Sequence, residues 1–370
     1  MKLSLFLAIF TTLFAFAKAV PRWCAADSDK MAKCLLVKQM ISNQMECVLG
    51  NGDADCYKKI ANNEAESGVF RGPEIYQAGK LYDLRVFMYE QPKTPLPESR
   101  VGYYGIAMVK NTSSALNINN LKGKRSCHTG VLKNAGWVMP VGTLMSKGLM
   151  KCVNDNQYAS VAAFFNASCA PGAKDPKYNP EKAGADNLCS LCTGAGSNSC
   201  VRSSAEPYYS HEGAFKCLKD GAGDVAFFKA TILQKRTPAE LKQFKILCLN
   251  GSQTDATNFA KCNLARAPAR ALLARNNVNL AEYQAWMQNA ILVAGARLFD
   301  KKIFSDDTIH LRVVGPGFQK YDQYLDPNYA KSLEALDNCR KEGKKSANEA
   351  RALGFNWLLL AILWCFCSLW

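Results

Sequence analysis

Few residue types in this 370-residue chain can do chemistry: three histidines (His128, His211, His310) and 16 cysteines, among ordinary amounts of everything else. Zinc modules need histidine and cysteine grouped at short spacing, and these cysteines are spread along the chain away from the histidines. His211-Glu212 resembles the start of a metalloprotease motif but lacks that motif's second histidine. Asp220-Gly-Ala-Gly-Asp224 and Gly194-Ala-Gly196 are glycine-rich, yet neither has the Lys-Ser/Thr of a phosphate loop or a full dinucleotide fingerprint. With so few histidines and no catalytic constellation, the expectation is a binding protein and not an enzyme.

The cysteines point to a compartment. This length can build a core without covalent help, so 16 cysteines reflect an oxidising environment and not a small fold. Residues 1–19 read as a signal peptide: Lys2, an apolar run from Leu3 to Phe16, then Ala17-Lys18-Ala19 with small residues at the two positions a signal peptidase reads. The last 16 residues, Phe355 to Trp370, are almost wholly apolar and span about 24 Å as a helix, short of the roughly 30 Å hydrocarbon core. Small residues Ser346-Ala347-Asn348 precede them, the arrangement of a glycolipid-anchor signal with attachment at Ser346; the other readings are a buried helix or a tail anchor. Removing 1–19 and 346–370 takes away Cys365 and Cys367 and leaves 14 cysteines, enough for seven disulfides. Asn111, Asn166 and Asn250 each open an N-x-Ser/Thr glycosylation triplet, as suits an extracellular chain.

The elements that must position these residues alternate in period. Lys33 to Ile41, Tyr57 to Ala65, Gly136 to Leu149, Gly213 to Leu218 and Ala239 to Phe244 read as helices. Cys47 to Leu49, Leu84 to Tyr89, Tyr103 to Val109, Ser126 to Thr129, Asp224 to Lys229 and Ile246 to Leu249 read as strands. Strand, helix, strand in this rhythm predicts an α/β fold with a largely parallel sheet. Ala170 to Ser204 is irregular and rich in Gly and Pro. Cys189-Ser-Leu-Cys192, with Cys169 and Cys200 nearby, is expected to form a disulfide knot there and not a redox pair. Apolar residues at helical spacing in Tyr283 to Phe299 are expected to pack a core.

Several longer motifs then carry a resemblance. Arg22-Trp23-Cys24-Ala25, Ala61-Asn62-Asn63-Glu64-Ala65, Tyr103-Tyr104, Lys124-Arg125-Ser126-Cys127-His128-Thr129-Gly130 with Gly136-Trp137, and Gly213-Ala214-Phe215-Lys216-Cys217-Leu218 running through Asp220 to Phe227 together resemble one lobe of a transferrin, in order, over about residues 21 to 340. With its apolar tail the chain is most similar to the membrane-anchored, melanotransferrin-like branch of that family. The resemblance implies a single lobe over 20–345 of two hinged subdomains like those of periplasmic binding proteins, one from 20–101 plus 268–345 and one from 102–267, closing on a ferric ion and a carbonate. It also implies the disulfides Cys24–Cys56, Cys34–Cys47, Cys127–Cys217, Cys152–Cys339, Cys169–Cys192, Cys189–Cys200 and Cys248–Cys262.

A transferrin ferric site takes an aspartate, two tyrosinates and a histidine, because Fe(III) needs hard anionic oxygens and polarises phenols enough to bind them as phenolates. Carried over position by position, the aspartate becomes Arg71, the first tyrosine is retained as Tyr103, the second becomes His211, and the histidine becomes Arg270. In the carbonate site Thr129 is retained, and the arginine becomes Lys133, which keeps charge but loses the bidentate fork. Two guanidiniums beside a trivalent cation are unfavourable by several kcal/mol each at an effective dielectric near 20. The expectation is therefore a degraded ferric site with no cofactor, and a small anion in the cleft held by Thr129 and Lys133. The alternative is Fe(III) on an altered set of Tyr103, His211 and carbonate.

The chain has 46 basic and 31 acidic residues, a charge of +15; without the two end segments 43 and 30 remain, or +13. No long Lys/Arg block exists, and an extracellular, disulfide-bonded chain is not expected to meet nucleic acid. Acidic matrix proteins, sulfated glycans and cell-surface proteins are the partners this balance suggests, with the membrane reached through a lipid anchor.

Overall fold

The computed structural model describes residues 20–92, 100–295, 297–300, 304 and 308–340. The signal peptide expected over 1–19 and the anchor signal expected over 346–370, Ser346 included, fall outside the described residues. The strands are β1 (Arg22–Ala25), β2 (Glu46–Leu49), β3 (Gly68–Phe70), β4 (Arg85–Pro92), β5 (Val101–Lys110), β6 (Arg125–His128), β7 (Ala167–Cys169), β8 (Val225–Lys229), β9 (Phe244–Leu247), β10 (Gln253–Asp255), β11 (Ala265–Pro268), β12 (Ala271–Ala274) and β13 (Thr308–Val313). β1 and β2 form a small parallel pair. A four-stranded sheet runs β13-β4-β12-β3; a seven-stranded sheet runs β10-β9-β5-β8-β6-β7 with β11 added on β5.

These pairings correct the largely parallel sheet expected above. Every pair in the four-stranded sheet is antiparallel. In the larger sheet only β6 pairs in parallel, with β7 and β8, while β5 is antiparallel to β8, β9 and β11. The cause lies in the connections. β5 does not pair with β6, the next strand along the chain; its partners arrive more than a hundred residues later, so the local strand–helix–strand rhythm does not fix the direction in which they run.

Local chemistry sets the helix limits. The first helix begins at Ser28, ahead of the Lys33 predicted, because the Asp27 side chain accepts the Lys30 N–H at 2.8 Å. The second, Asp53–Ala61, stops short of the predicted Ala65 as Asn63 turns to a φ of 62°. Pro238–Leu241 is a single turn capped by Thr237, and Phe244, read as helical from sequence, is the buried start of β9.

Seven disulfides close within the described residues: Cys24–Cys56, Cys34–Cys47, Cys127–Cys217, Cys152–Cys339, Cys169–Cys192, Cys189–Cys200 and Cys248–Cys262. The two cysteines of Cys189-Ser-Leu-Cys192 thus bond elsewhere and not to each other. The irregular stretch around them is pinned a second way. The buried Glu206 carboxylate accepts the backbone N–H groups of Thr193, Gly194, Cys200 and Tyr208 at 2.8–3.1 Å.

Candidate anion and metal site

β6 delivers the first site residue. His128, at its end, is sealed among Trp137, Phe165 and Phe227, with Nδ1 2.8 Å from the Gly136 carbonyl and Nε2 2.8 Å from Ser126 Oγ. Burial pushes its ring down to about 4, so it stays neutral and serves the core. The next residue, Thr129, is fully buried, and its Oγ1 has no hydrogen-bond partner. A buried hydroxyl without a protein partner costs free energy unless a water or a ligand meets it.

Opposite Thr129 stands the start of a helical segment over 134–146. Its first turn, Asn134–Val138, is a π-turn in which the Lys133 carbonyl accepts the N–H groups of both Trp137 and Val138. It continues as the α-helix Met139–Ser146. Gly136 allows the close approach: a Cβ there would lie 2.0 Å from Thr129 Oγ1. Lys133, just outside the segment, lays its ammonium 3.8 Å from the centre of the Tyr209 ring. His211 accepts the Lys229 N–H on Nδ1 at 3.3 Å, and burial with Lys229 and Lys133 nearby lowers its pKa to about 3.

β5 contributes Tyr103, held across from Ala267 of β11 just before the irregularity at Pro268 that leads to Arg270. Asn134 donates from Nδ2 to Tyr103 Oη at 2.8 Å, and its Oδ1 accepts the hydroxyl of Tyr329 at 2.8 Å. Tyr329 belongs to the helix over 327–340 and is fully buried. Burial lifts the Tyr103 phenol to about 12; the Asn134 bond and the charges of Arg71 and Arg270 pull the other way without offsetting it. Arg71 caps the helix Gly72–Tyr82, forms an ion pair with Glu74 at 2.5 Å and lies 3.7 Å from Asp53. Its acidic partners are therefore its own close neighbours on the helices flanking β3.

Tyr103, Arg71 and Arg270 are thus brought together, and Thr129 and Lys133 border the helix end that Asn134 begins. Sequence reading missed Asn134, Glu74, Asp53 and Tyr329. Asn134 directly follows Lys133, a signal within reach; Tyr329 lies 195 residues from Asn134 and gives none. Elsewhere, Cys169, Cys192 and Glu206 bring three ligand-type atoms within 4.8 Å of one another. They do not form a metal site, since the two sulfurs are bonded to each other and the carboxylate is saturated by backbone N–H groups.

The transferrin family model matches residues 21–320. The chain belongs to the transferrin family. Among curated transferrins it is 32% identical to melanotransferrin of Oryctolagus cuniculus over 90% of this chain and 47% of that protein. It is likewise 32% identical to serotransferrin-A of Xenopus laevis, over 96% of the chain and 51% of the relative. Lactotransferrin of Homo sapiens is 36% identical over 76% of the chain and 39% of its own length. This transferrin chain spans about half the length of the curated relatives it matches. Among the described residues no helix is long and apolar enough to cross a membrane.

Proposed function

We propose that this transferrin-family chain is an extracellular binding protein whose cleft takes a small oxyanion and has lost tight ferric binding. The observation that carries the reading is the buried, unpartnered Thr129 Oγ1 beside the amide end of the 134–146 segment, with Lys133 next to it. An oxyanion such as carbonate or phosphate would satisfy that hydroxyl, meet free N–H groups and find a cation. The donor set does not suit a ferric cargo. Arg71 and Arg270 stand where anionic or neutral ligands are expected, and both put positive charge on Tyr103. Two subdomains, 20–101 plus 268–345 and 102–267, would close around the anion.

Calorimetric titration of the secreted protein with ferric nitrilotriacetate, then with bicarbonate, phosphate and citrate, tests this. Expected are heat with at least one oxyanion and no tyrosinate-to-iron absorption band at stoichiometric iron. A strong band would instead support ferric binding by Tyr103, His211 and carbonate, a set that the neutral His211 ring favours. Seven disulfides and exposed Asn111, Asn166 and Asn250 support an extracellular, glycosylated chain. We place it at the outer face of the plasma membrane on a glycolipid, where a phosphatidylinositol-specific phospholipase would release it. Acidic matrix proteins and sulfated glycans are the partners its charge favours there.

A further inference from the structure

Asn134 fixes which way the hydrogen bonds at Tyr103 run. Its Oδ1 is taken by the Tyr329 hydroxyl, so the atom turned to Tyr103 is Nδ2, a donor. Tyr103 Oη therefore accepts, and its own O–H is left over. Among the described residues no side chain or carbonyl accepts that proton. Asn134 and Gly136 share the π-turn, and Gly136 is packed against Thr129 Oγ1. Two uncommitted hydroxyls, Thr129 and Tyr103, thus border one turn of one helix end.

We infer that Asn134 is a positioning residue that converts Tyr103 from a metal-ligand position into a neutral hydrogen-bond donor for the bound oxyanion. This rests on the oxyanion reading above. The chemistry favours an oxyanion, which has lone pairs enough for Thr129 O–H, Tyr103 O–H and Lys133 together, whereas a metal would compete with the Asn134 N–H for the Tyr103 oxygen. It also gives the site discrimination against ions that accept hydrogen bonds weakly.

The test is a double-mutant cycle read by calorimetry with inorganic phosphate and bicarbonate, chloride serving as the control ion. Tyr103→Phe deletes the donor and keeps the ring, and is expected to weaken oxyanion binding by about tenfold to a hundredfold. Asn134→Asp places an acceptor where the N–H donor was, so the carboxylate captures the Tyr103 proton; affinity is expected to fall at least as far. Tyr103→Phe added to Asn134→Asp should then cost nothing more, which a merely structural role for Asn134 would not produce. If the unaltered protein binds oxyanion and Tyr103→Phe binds it equally well, the donor role is overturned and the oxyanion reading stands. If the unaltered protein gives no heat with any oxyanion, the oxyanion reading falls and takes the donor role with it.

Discussion

Arg71 and Glu74 are paired at 2.5 Å within the first turn of one helix, and Asp53 stands 3.7 Å from the same guanidinium. The cation that replaces an expected aspartate is thus tied down by neighbours on its own side and is not left to bridge the cleft. With the side chain 61% exposed, these pairs contribute little to stability. What Arg71 contributes is positive charge beside Tyr103, which disfavours a metal there.

Restoring ligand types should therefore restore affinity for iron. Arg71→Asp combined with Arg270→His removes two positive charges that act on Tyr103 and supplies an anionic and a neutral ligand type. Ferric affinity is expected to rise at least tenfold, read as a tyrosinate-to-iron band that the unaltered protein lacks. Equal affinity in both proteins would show that the two arginines do not govern metal exclusion.

Thr129→Val separates binding from folding. The substitution removes a hydroxyl that is buried without a partner and keeps the shape of the side chain. Denaturant unfolding without anion should show stability unchanged or raised by about 1 kcal/mol, because an unsatisfied polar group has gone. Oxyanion affinity should fall by at least tenfold in the same protein. Loss of stability with affinity intact would mean that the hydroxyl serves the core.

Acid should weaken the fold well above the carboxylate range. His128 is held near 4 and His211 near 3, both below the unfolded value of about 6.5. Between those values the unfolded chain binds protons that the folded chain refuses, so the stability present above pH 6.5 is lost as pH falls. His128 alone accounts for about 2 kcal/mol at pH 5. Unfolding midpoints at pH 7.5 and pH 5 measure this, and a flat profile would contradict the neutral, buried histidines.

Glu206→Ala removes one carboxylate and strands four backbone N–H groups around the Cys169–Cys192 and Cys189–Cys200 bridges. Leaving buried donors unmade costs about 1–3 kcal/mol for each group that water cannot reach. Thermal unfolding is expected to drop clearly, and proteolysis should move to residues 190–208. Glu206→Gln, which keeps one acceptor oxygen, should lose less.

The parts of this molecule readable from sequence were those set by neighbours along the chain. β5 and β8 show as buried β-branched and aromatic runs, and the helix Ser210–Lys219 shows as an apolar face of Ala214, Phe215, Cys217 and Leu218. Sheet direction did not show, because β5 meets β8, β9 and β11 only after long detours. Within the site, Tyr103, Thr129, Lys133 and Arg71 were placed by motif. The unpartnered Thr129 Oγ1 and the Asn134 link between Tyr103 and Tyr329 depend on residues that meet only in the folded chain, so no local pattern announces them.

Cys152–Cys339 joins residues 187 apart and turns 153–338 into a closed covalent loop. A pull applied beyond residue 340 reaches Cys339, crosses to Cys152 and travels back toward the N-terminus, bypassing most of that loop along the shortest covalent route. Cys24–Cys56 makes the same kind of shortcut around residues 25–55. The shortest covalent path thus runs through 56–152, the stretch that holds β5 with Tyr103 and the turn at Asn134, while the returning strands share load only through Cys127–Cys217 and their pairing with β4 and β5. Tension along this chain would be felt first at the residues that shape the cleft.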